Sequence, residues 1–441
     1  MNFATDYKLE NFILDTKWED LPEEVRERMR GCLVDLMGAL IVGSHSKQFE
    51  AGLKLASAIY GKGDIAVVGS DKKFDFMGAS AAMGHSSNAY DIDDGHNMTR
   101  AHPGTSFIGG LLAAAYEKDI SLNELLLTML VSYEATIRSG AAMMDYYQYA
   151  HSSGTFGAVG VAVGVGKIYG FDKVLMNHVL SVADFNAPLV PGIRSVEYPS
   201  MNKDGVPFGV MIGALAVMAV LSGFEGNKNL LEADDYRHYL DDLGEKYQVM
   251  DLYFKPYPCC RWAHPAIDAC TTLMRENGIR PENVARVTVK TFKRATMLSK
   301  IEPKTVDEAQ YNIAYPVAAS VVYGDFGIRE VMEENLSDEK TLAMMKKLSF
   351  EVDEDYDKAF PAHRICRAEI ETLDGKLYVS GECEPRGEAC ENIRFEWLAD
   401  KFRRITAPFI SSEGQERVIS LIGESSVSVR ELVDTVNSYI L

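Results

Sequence analysis

The segment DIDDGHNMTRAHPG, from Asp91 to Gly104, crowds three carboxylates (Asp91, Asp93, Asp94) and two imidazoles (His96, His102) into one turn-rich stretch behind an apolar helix. Such groups hold, give and accept protons, and neighbouring carboxylates raise one another's pKa, which suits general acid/base work. The same five side chains could instead ligate a divalent metal, and a polar loop with capping aspartates is the plainer alternative. Pro103-Gly104 after His102 implies a fixed turn, which favours a functional role. Three further segments carry cations or imidazoles. His151 opens HSSGTFGAVG just ahead of an apolar helix, whose N-terminus offers N–H groups and a positive dipole end to a carboxylate; Ser152 or Ser153 could equally cap that helix. Lys203, in SMNKDGVPFG, is a lone cation before an apolar run, either solvated or matched by a bound carboxylate. KPYPCCRWAHPAID, from Lys255 to Asp268, gathers Lys255, Arg261 and His264: a point charge, a bidentate fork and a side chain that titrates near neutrality. Cys259 and Cys260 do not suggest a metal or iron–sulfur centre, because adjacent cysteines chelate one ion poorly and no CxxC pair is present.

The elements that must position these groups have two textures. Helical spacing dominates from Leu21 to about Gly226: Pro22 suits a first turn, and Val25, Met29, Cys32, Leu33 and Met37 follow on one face. Ala- and Gly-rich helices are predicted over Gly78 to Asn88, Thr105 to Tyr116, Leu122 to Met144, Gly154 to Tyr169 and Phe208 to Leu221, close-packed and mostly hidden from water. The longest apolar run, Gly209 to Phe224, is shorter than the ~20 residues that span a bilayer and reads as a buried helix. After Arg280 the pattern alternates. Val287 and Val289 interleave with Thr288 and Lys290, and Cys366 to Ile370 and Lys376 to Ser380 join through Asp374-Gly375 as a predicted hairpin. A helix is predicted over Glu308 to Tyr323, and Glu391 to Leu441 reads as helical again.

A chain of 441 residues with 47% hydrophobic content can bury a large core and is expected to form two domains. Its net charge of −19 argues against nucleic acid or an anionic membrane as partner, while a small anionic substrate is compatible if cations gather locally. The opening MNFATDYKLE lacks the order of a signal peptide, and seven irregularly spaced cysteines suggest reduced thiols, so a cytoplasmic location is expected.

In this order and spacing the segments resemble the MmgE/PrpD superfamily, which contains 2-methylcitrate dehydratase, cis-aconitate decarboxylase and iminodisuccinate epimerase. The resemblance runs from LVDLMGALIVG through HSSNAYDIDD, the AHPG turn, HSSGTFGAVGVAVGVGKIYG, KPYPCC and DEAQYNIAYPVAASVVYGDFG to the closing DKF. It implies a mainly α fold: a large all-helical domain (residues 1–267 with 403–441) and a smaller α+β lid domain (268–402). It also implies a homodimer, an active site in the cleft between the domains, and no metal or organic cofactor. Asp91 matches the first aspartate of the family's D-x-D-D run, His102 the histidine of its H-P turn, and His151 the histidine before the glycine-rich helix. Lys203 matches the lysine ahead of the next buried helix, Lys255 and His264 the K-x-[YF]-P…H pair, and Tyr311 or Tyr315 an aromatic side chain from the lid.

The shared chemistry is handling a proton, or its replacement, on a carbon next to a carboxylate, where nearby cations stabilise the enediolate. On that basis Asp91, His102 and His151 are the expected catalytic residues, with Asp91 orienting or tuning a histidine. Lys203, Lys255, Arg261, His264 and one of the two tyrosines are expected to hold a small di- or tricarboxylate. Dehydration, decarboxylation and epimerisation all remain open. Gly95 stands where decarboxylase-like members carry threonine, DGVPFG departs from the family's K-[PR]-[LF]-H, and YPCC with HPAID is similar to the epimerase branch. Two other classes compete: a metal-dependent hydrolase using Asp91, Asp93, Asp94, His96 and His102, and a carboxylate-binding protein without a proton shuttle.

Overall fold

A computed structural model describes residues 3, 6–147, 151–425 and 427–441. The predicted helices form as Phe76–Ser86, Thr105–Lys118, Leu122–Tyr147, Ser153–Ile168 and Val206–Leu221, packed side by side with Glu23–Gly43. Their small residues let backbones touch. A Cβ on Gly154 would lie 2.1 Å from the Gly205 carbonyl oxygen, and one on Gly209 would lie 2.3 Å from that of Gly154, so only glycine permits this crossing. The crossing matters because it seats the first turn of Ser153–Ile168 against the loop that carries Lys203 and Asp204.

The second texture is a four-stranded sheet in the order Leu348–Val352, Val284–Thr291, Cys366–Thr372, Leu377–Val379. Only the first pair is parallel. The Asp374-Gly375 hairpin forms as expected, with Gly375 in the left-handed region at φ 81°. Leu348–Val352 lacks a clean alternation because it is a half-exposed edge, which hid it from the sequence reading.

Four differences bear on the site. First, Asp94–His96 is a short strand paired antiparallel with Leu252–Phe254, Asp94 opposite Phe254, which delivers Lys255 to the aspartate run from far along the chain. Second, the predicted helix over Glu308 to Tyr323 is broken into Val306–Gln310 and Ala314–Tyr323. Asn312 makes the break, accepting from the Tyr315 N–H at 2.8 Å and donating to the Ile301 carbonyl at 2.8 Å. Third, the helix expected to be buried over Gly209 to Phe224 exposes Phe208, Leu215, Met218 and Leu221 at 50, 52, 38 and 51%. Its apolar run exceeds what the chain itself covers. Fourth, the expected domain limits at 267/268 and 402/403 each fall inside a helix. His264–Asn277 packs on the sheet strand Cys366–Thr372, and Phe395–Thr406 lies along Glu23–Gly43. No helix among the described residues is long and apolar enough to cross a membrane.

Candidate active site

Side chains from both textures converge on one cavity of about 250 Å³. At roughly 30 Å³ per water it has room for about eight waters, enough for a compact organic acid and too little for a dinucleotide. Asp91, His102, His151, Lys255, Arg261 and Tyr311 line it, joined by Arg100, Asp204, Tyr253, Arg294 and Arg364. A larger open groove of about 1180 Å³ beside His264–Asn277 contains no histidine, and its carboxylates Asp268, Asp325 and Asp400 are paired with Arg386, Arg404 and Arg403.

His102 is the best-defined group. Its Nδ1 lies 3.0 Å from Asp93 Oδ2 and 2.8 Å from the Asp94 carbonyl oxygen, two acceptors, so Nδ1 carries a proton in either charge state. Nε2 is left facing the cavity, 3.5 Å from Asp91 Oδ1 and 3.6 Å from Asp204 Oδ2. Burial and the Lys255 ammonium oppose the charged ring, yet the Asp93 and Asp91 carboxylates outweigh them and raise its pKa to about 9. Asp93 is correspondingly held well below the usual carboxylate range: burial resists, and the facing His102 and Lys255 charges prevail. The Asn88 amide and the Thr105 hydroxyl each donate to Asp93 at 2.9 Å, completing its shell.

His151 is tuned the other way. Burial lowers its pKa, and its ring stands edge-on to Tyr147 at 5.1 Å. Ser152 occupies the cap position of the helix that follows, but its hydroxyl donates to Asp204 Oδ1 at 2.6 Å instead of capping. The Ser153 hydroxyl accepts from the His102 backbone N–H at 2.9 Å. Neither serine caps the helix; together they tie the two histidine segments and Asp204 into one wall. The Tyr311 hydroxyl, 3.3 Å from Asp204 Oδ2, reaches in from the helix break.

Lys255 is buried and donates to Asp91 twice, to Oδ1 at 2.5 Å and to the backbone carbonyl at 2.8 Å. The Lys401 ammonium, paired with Asp35 at 2.5 Å, donates to the Ile92 carbonyl next door. These clamps hold Asp91 in the left-handed region at φ 51°; Arg100 and Lys203 are held there too, at 52° and 41°. Each such non-glycine conformation costs on the order of 1 kcal/mol and persists only where the surroundings enforce it.

Three expected ligand-holding residues point elsewhere. Lys203 is buried outside the cavity wall; its ammonium donates to the Ala89 carbonyl and to Gln310 and pairs with Asp307 at 3.3 Å. Its counter-charge is therefore Asp307, and it braces the aspartate run against Val306–Gln310. His264 bonds the Cys259 carbonyl through Nε2 at 3.0 Å, and burial drives its pKa far down, so it is a neutral support under the Cys259-Cys260 turn. Tyr315, the alternative to Tyr311, spends its hydroxyl on the Glu330 and Asn335 carbonyls at 2.7 and 3.1 Å. Arg261 does line the cavity, but its charge is matched by Glu388 at 2.8 Å.

The five-ligand metal set also separates. Asp93 serves His102, Asp94 accepts from Tyr133 and from the Gly104 N–H, and His96 is buried beside a different groove. Among the described residues the convergent trio is Asp91, His102 and Asp204. The Lys255 ammonium already occupies Asp91, and its charge opposes a dication there.

Sequence reasoning missed Asp204, although it follows Lys203 directly. It also missed Arg100, inside the segment it began from, and gave no role to Lys401 of the DKF motif. Tyr253, Arg294 and Arg364 carry no spacing signal. Gly95 acquires a reason: a Cβ there would lie 2.3 Å from the Tyr253 hydroxyl, so the glycine makes room for the Tyr253 ring in the cavity wall.

Comparison with known proteins agrees with this architecture. The MmgE/PrpD N-terminal domain profile matches residues 7–240 and the MmgE/PrpD C-terminal domain profile residues 257–425. A cis-aconitate decarboxylase-like protein of Aspergillus oryzae is 24% identical over 468 aligned residues, covering 96% of this chain and 95% of the relative.

Proposed function

We propose, from the premise that this chain belongs to the MmgE/PrpD family, that it is a lyase acting on a small di- or tricarboxylic acid, with its own side chains supplying the proton chemistry. The observation that carries this reading is the opposite tuning of two imidazoles around one cation-lined cavity. His102 is raised to about 9 and enters as the acid, while His151 is lowered and enters as the base. In dehydration, neutral His151 takes the proton next to a carboxylate, Lys255 and Arg261 stabilise the enediolate, and His102 Nε2 protonates the departing hydroxyl. In decarboxylation the breaking C–C bond to CO₂ supplies the electron pair instead, a remaining carboxylate conjugated with that carbon takes it up as an enediolate, and His102 Nε2 protonates carbon. Dehydration needs both groups; decarboxylation needs only the acid.

The pH dependence of kcat/KM separates these cases. A dehydratase should rise through an apparent pKa below 6.5, as His151 loses its proton, and fall through one near 9, as His102 loses its own. A decarboxylase should keep the alkaline limb without the acidic one. A profile that only rises towards pH 9 would make His102 the base and contradict the assignment.

The homodimer expected for the family has a matching surface. Phe208, Leu215, Met218 and Leu221 recur at helical spacing on the outer face of Val206–Leu221, and Leu189 and Tyr198 line the groove next to Phe208. A second copy packed on this face would bury it. Leu215→Glu should then convert a species of twice 48.9 kDa to one of 48.9 kDa in sedimentation; an unchanged mass would place the interface elsewhere.

A further inference from the structure

We propose that Arg364, with Tyr253 beside it and Arg294 at the mouth, forms a second-carboxylate subsite at the lid end of the cavity. This deepens the lyase reading and rests on it: the ligand spans from the His102 end to the lid arginines, which selects acids with at least two carboxylates.

Arg364 is only 7% exposed, lines the cavity and makes no ion pair or side-chain hydrogen bond among the described residues; its Nε is buried without a partner. Of the other buried arginines two are ion-paired, and the third, Arg28, whose Nη1 also lacks a hydrogen-bond partner, lies outside the cavity. Arg138 is held by Glu134 and Asp242, Arg261 by Glu388, and Arg28 stacks on the Phe254 ring. A buried guanidinium without a counter-charge is unfavourable, and a carboxylate is the planar anion its fork fits.

The fold aims this residue deliberately. The antiparallel register sets Thr291 opposite Cys366, so Arg294, three residues past one strand, and Arg364, two residues before the other, emerge at the same end of the sheet. The Thr291 hydroxyl donates to the Ile365 carbonyl at 3.1 Å, and Phe292 stacks on Phe360 at 4.8 Å, fixing both segments. Trp262 meets Phe360 edge-on, and both rings give the cavity apolar wall. The Tyr253 phenol, admitted by Gly95, lies in the fields of Arg364, Lys255 and Arg261 and can donate to the same carboxylate.

The test is calorimetric binding of tricarballylate and of butyrate to wild type, Arg364→Gln, Arg364→Lys, Arg294→Gln and His102→Asn, with melting curves. Arg364→Gln should weaken tricarballylate at least about 30-fold, the scale for removing one partner of a buried charge pair, and leave butyrate unchanged. Arg364→Lys should weaken it roughly tenfold, because the charge remains and the fork is lost. Exposed Arg294→Gln should cost about threefold. Ligand-free Arg364→Gln should melt no lower than wild type, since an unmatched buried charge has gone, and tricarballylate should no longer raise its Tm. Wild-type affinity in Arg364→Gln, equal loss of both ligands, or no tricarballylate binding by wild type would overturn the subsite. Should Arg364→Gln not fold, wild-type affinity in Arg364→Lys overturns it. Tricarballylate binding retained in His102→Asn, with no turnover of any acid by wild type, would count against the lyase reading and leave the subsite standing.

Discussion

Replacing His102 with asparagine should lower kcat by about 10²- to 10⁴-fold, the range for losing a positioned proton-transfer group, while KM changes only a few-fold. The asparagine amide can still donate to the Asp94 carbonyl, which His102 Nδ1 contacts at 2.8 Å, so the turn before Pro103 should keep its shape. The alkaline limb of the pH profile near 9 should vanish with the imidazole. Added imidazole should restore part of the rate, which would not happen if His102 only supported the fold. A variant with full kcat and an unchanged alkaline limb would remove His102 from the reaction.

The second large effect is expected from Asp93→Asn, and it should depend on pH. Asp93 does not line the cavity; it acts through His102, whose Nδ1 it faces at 3.0 Å, and is a positioning residue. Without that carboxylate the His102 pKa should fall from about 9 towards its ordinary value of about 6.5. Protonation alone then predicts a loss of about 30-fold at pH 8, more than 100-fold at pH 9 and little at pH 6. A uniform loss at every pH would indicate a structural role instead.

Stability should report the same pair. His102 is raised on folding, so its contribution is fully present below about 6.5 and is lost as pH rises through about 9; Asp93 is depressed, so its contribution is present above about 4 and lost as pH falls. The raised histidine corresponds to on the order of 3 kcal/mol. Wild-type Tm should therefore decline between pH 6.5 and 9, and Asp93→Asn should flatten that decline.

Helix positions and the hairpin were legible in the sequence because burial imposes a period that apolar residues must follow. The chemical residues of the cavity were legible where they cluster, as Asp91, His102, His151 and Lys255 do. Partnerships were not. Which aspartate serves His102 depends on a three-residue strand pairing between Asp94–His96 and Leu252–Phe254, too short to leave a pattern. Lys203 looked like a cation awaiting a ligand because Asp307 and Gln310 lie about a hundred residues away. Arg364 went unnoticed for the opposite reason: nothing near it in the chain shows that it is buried and unmatched. The exposed face of Val206–Leu221 was misread because an apolar run looks the same whether or not the rest of its chain covers it.

The most direct test of the account is a ¹H NMR assay in D₂O of protein treated with a chelator, given citrate, 2-methylcitrate, cis-aconitate, malate and iminodisuccinate in turn. Alkene formation, loss of CO₂ with deuterium at the protonated carbon, or exchange next to a carboxylate is expected with at least one of them, and this activity should be lost in His102→Asn. Silence across the panel, with activity returning only when a divalent metal is restored, would contradict it and make Asp91, His102 and Asp204 metal ligands.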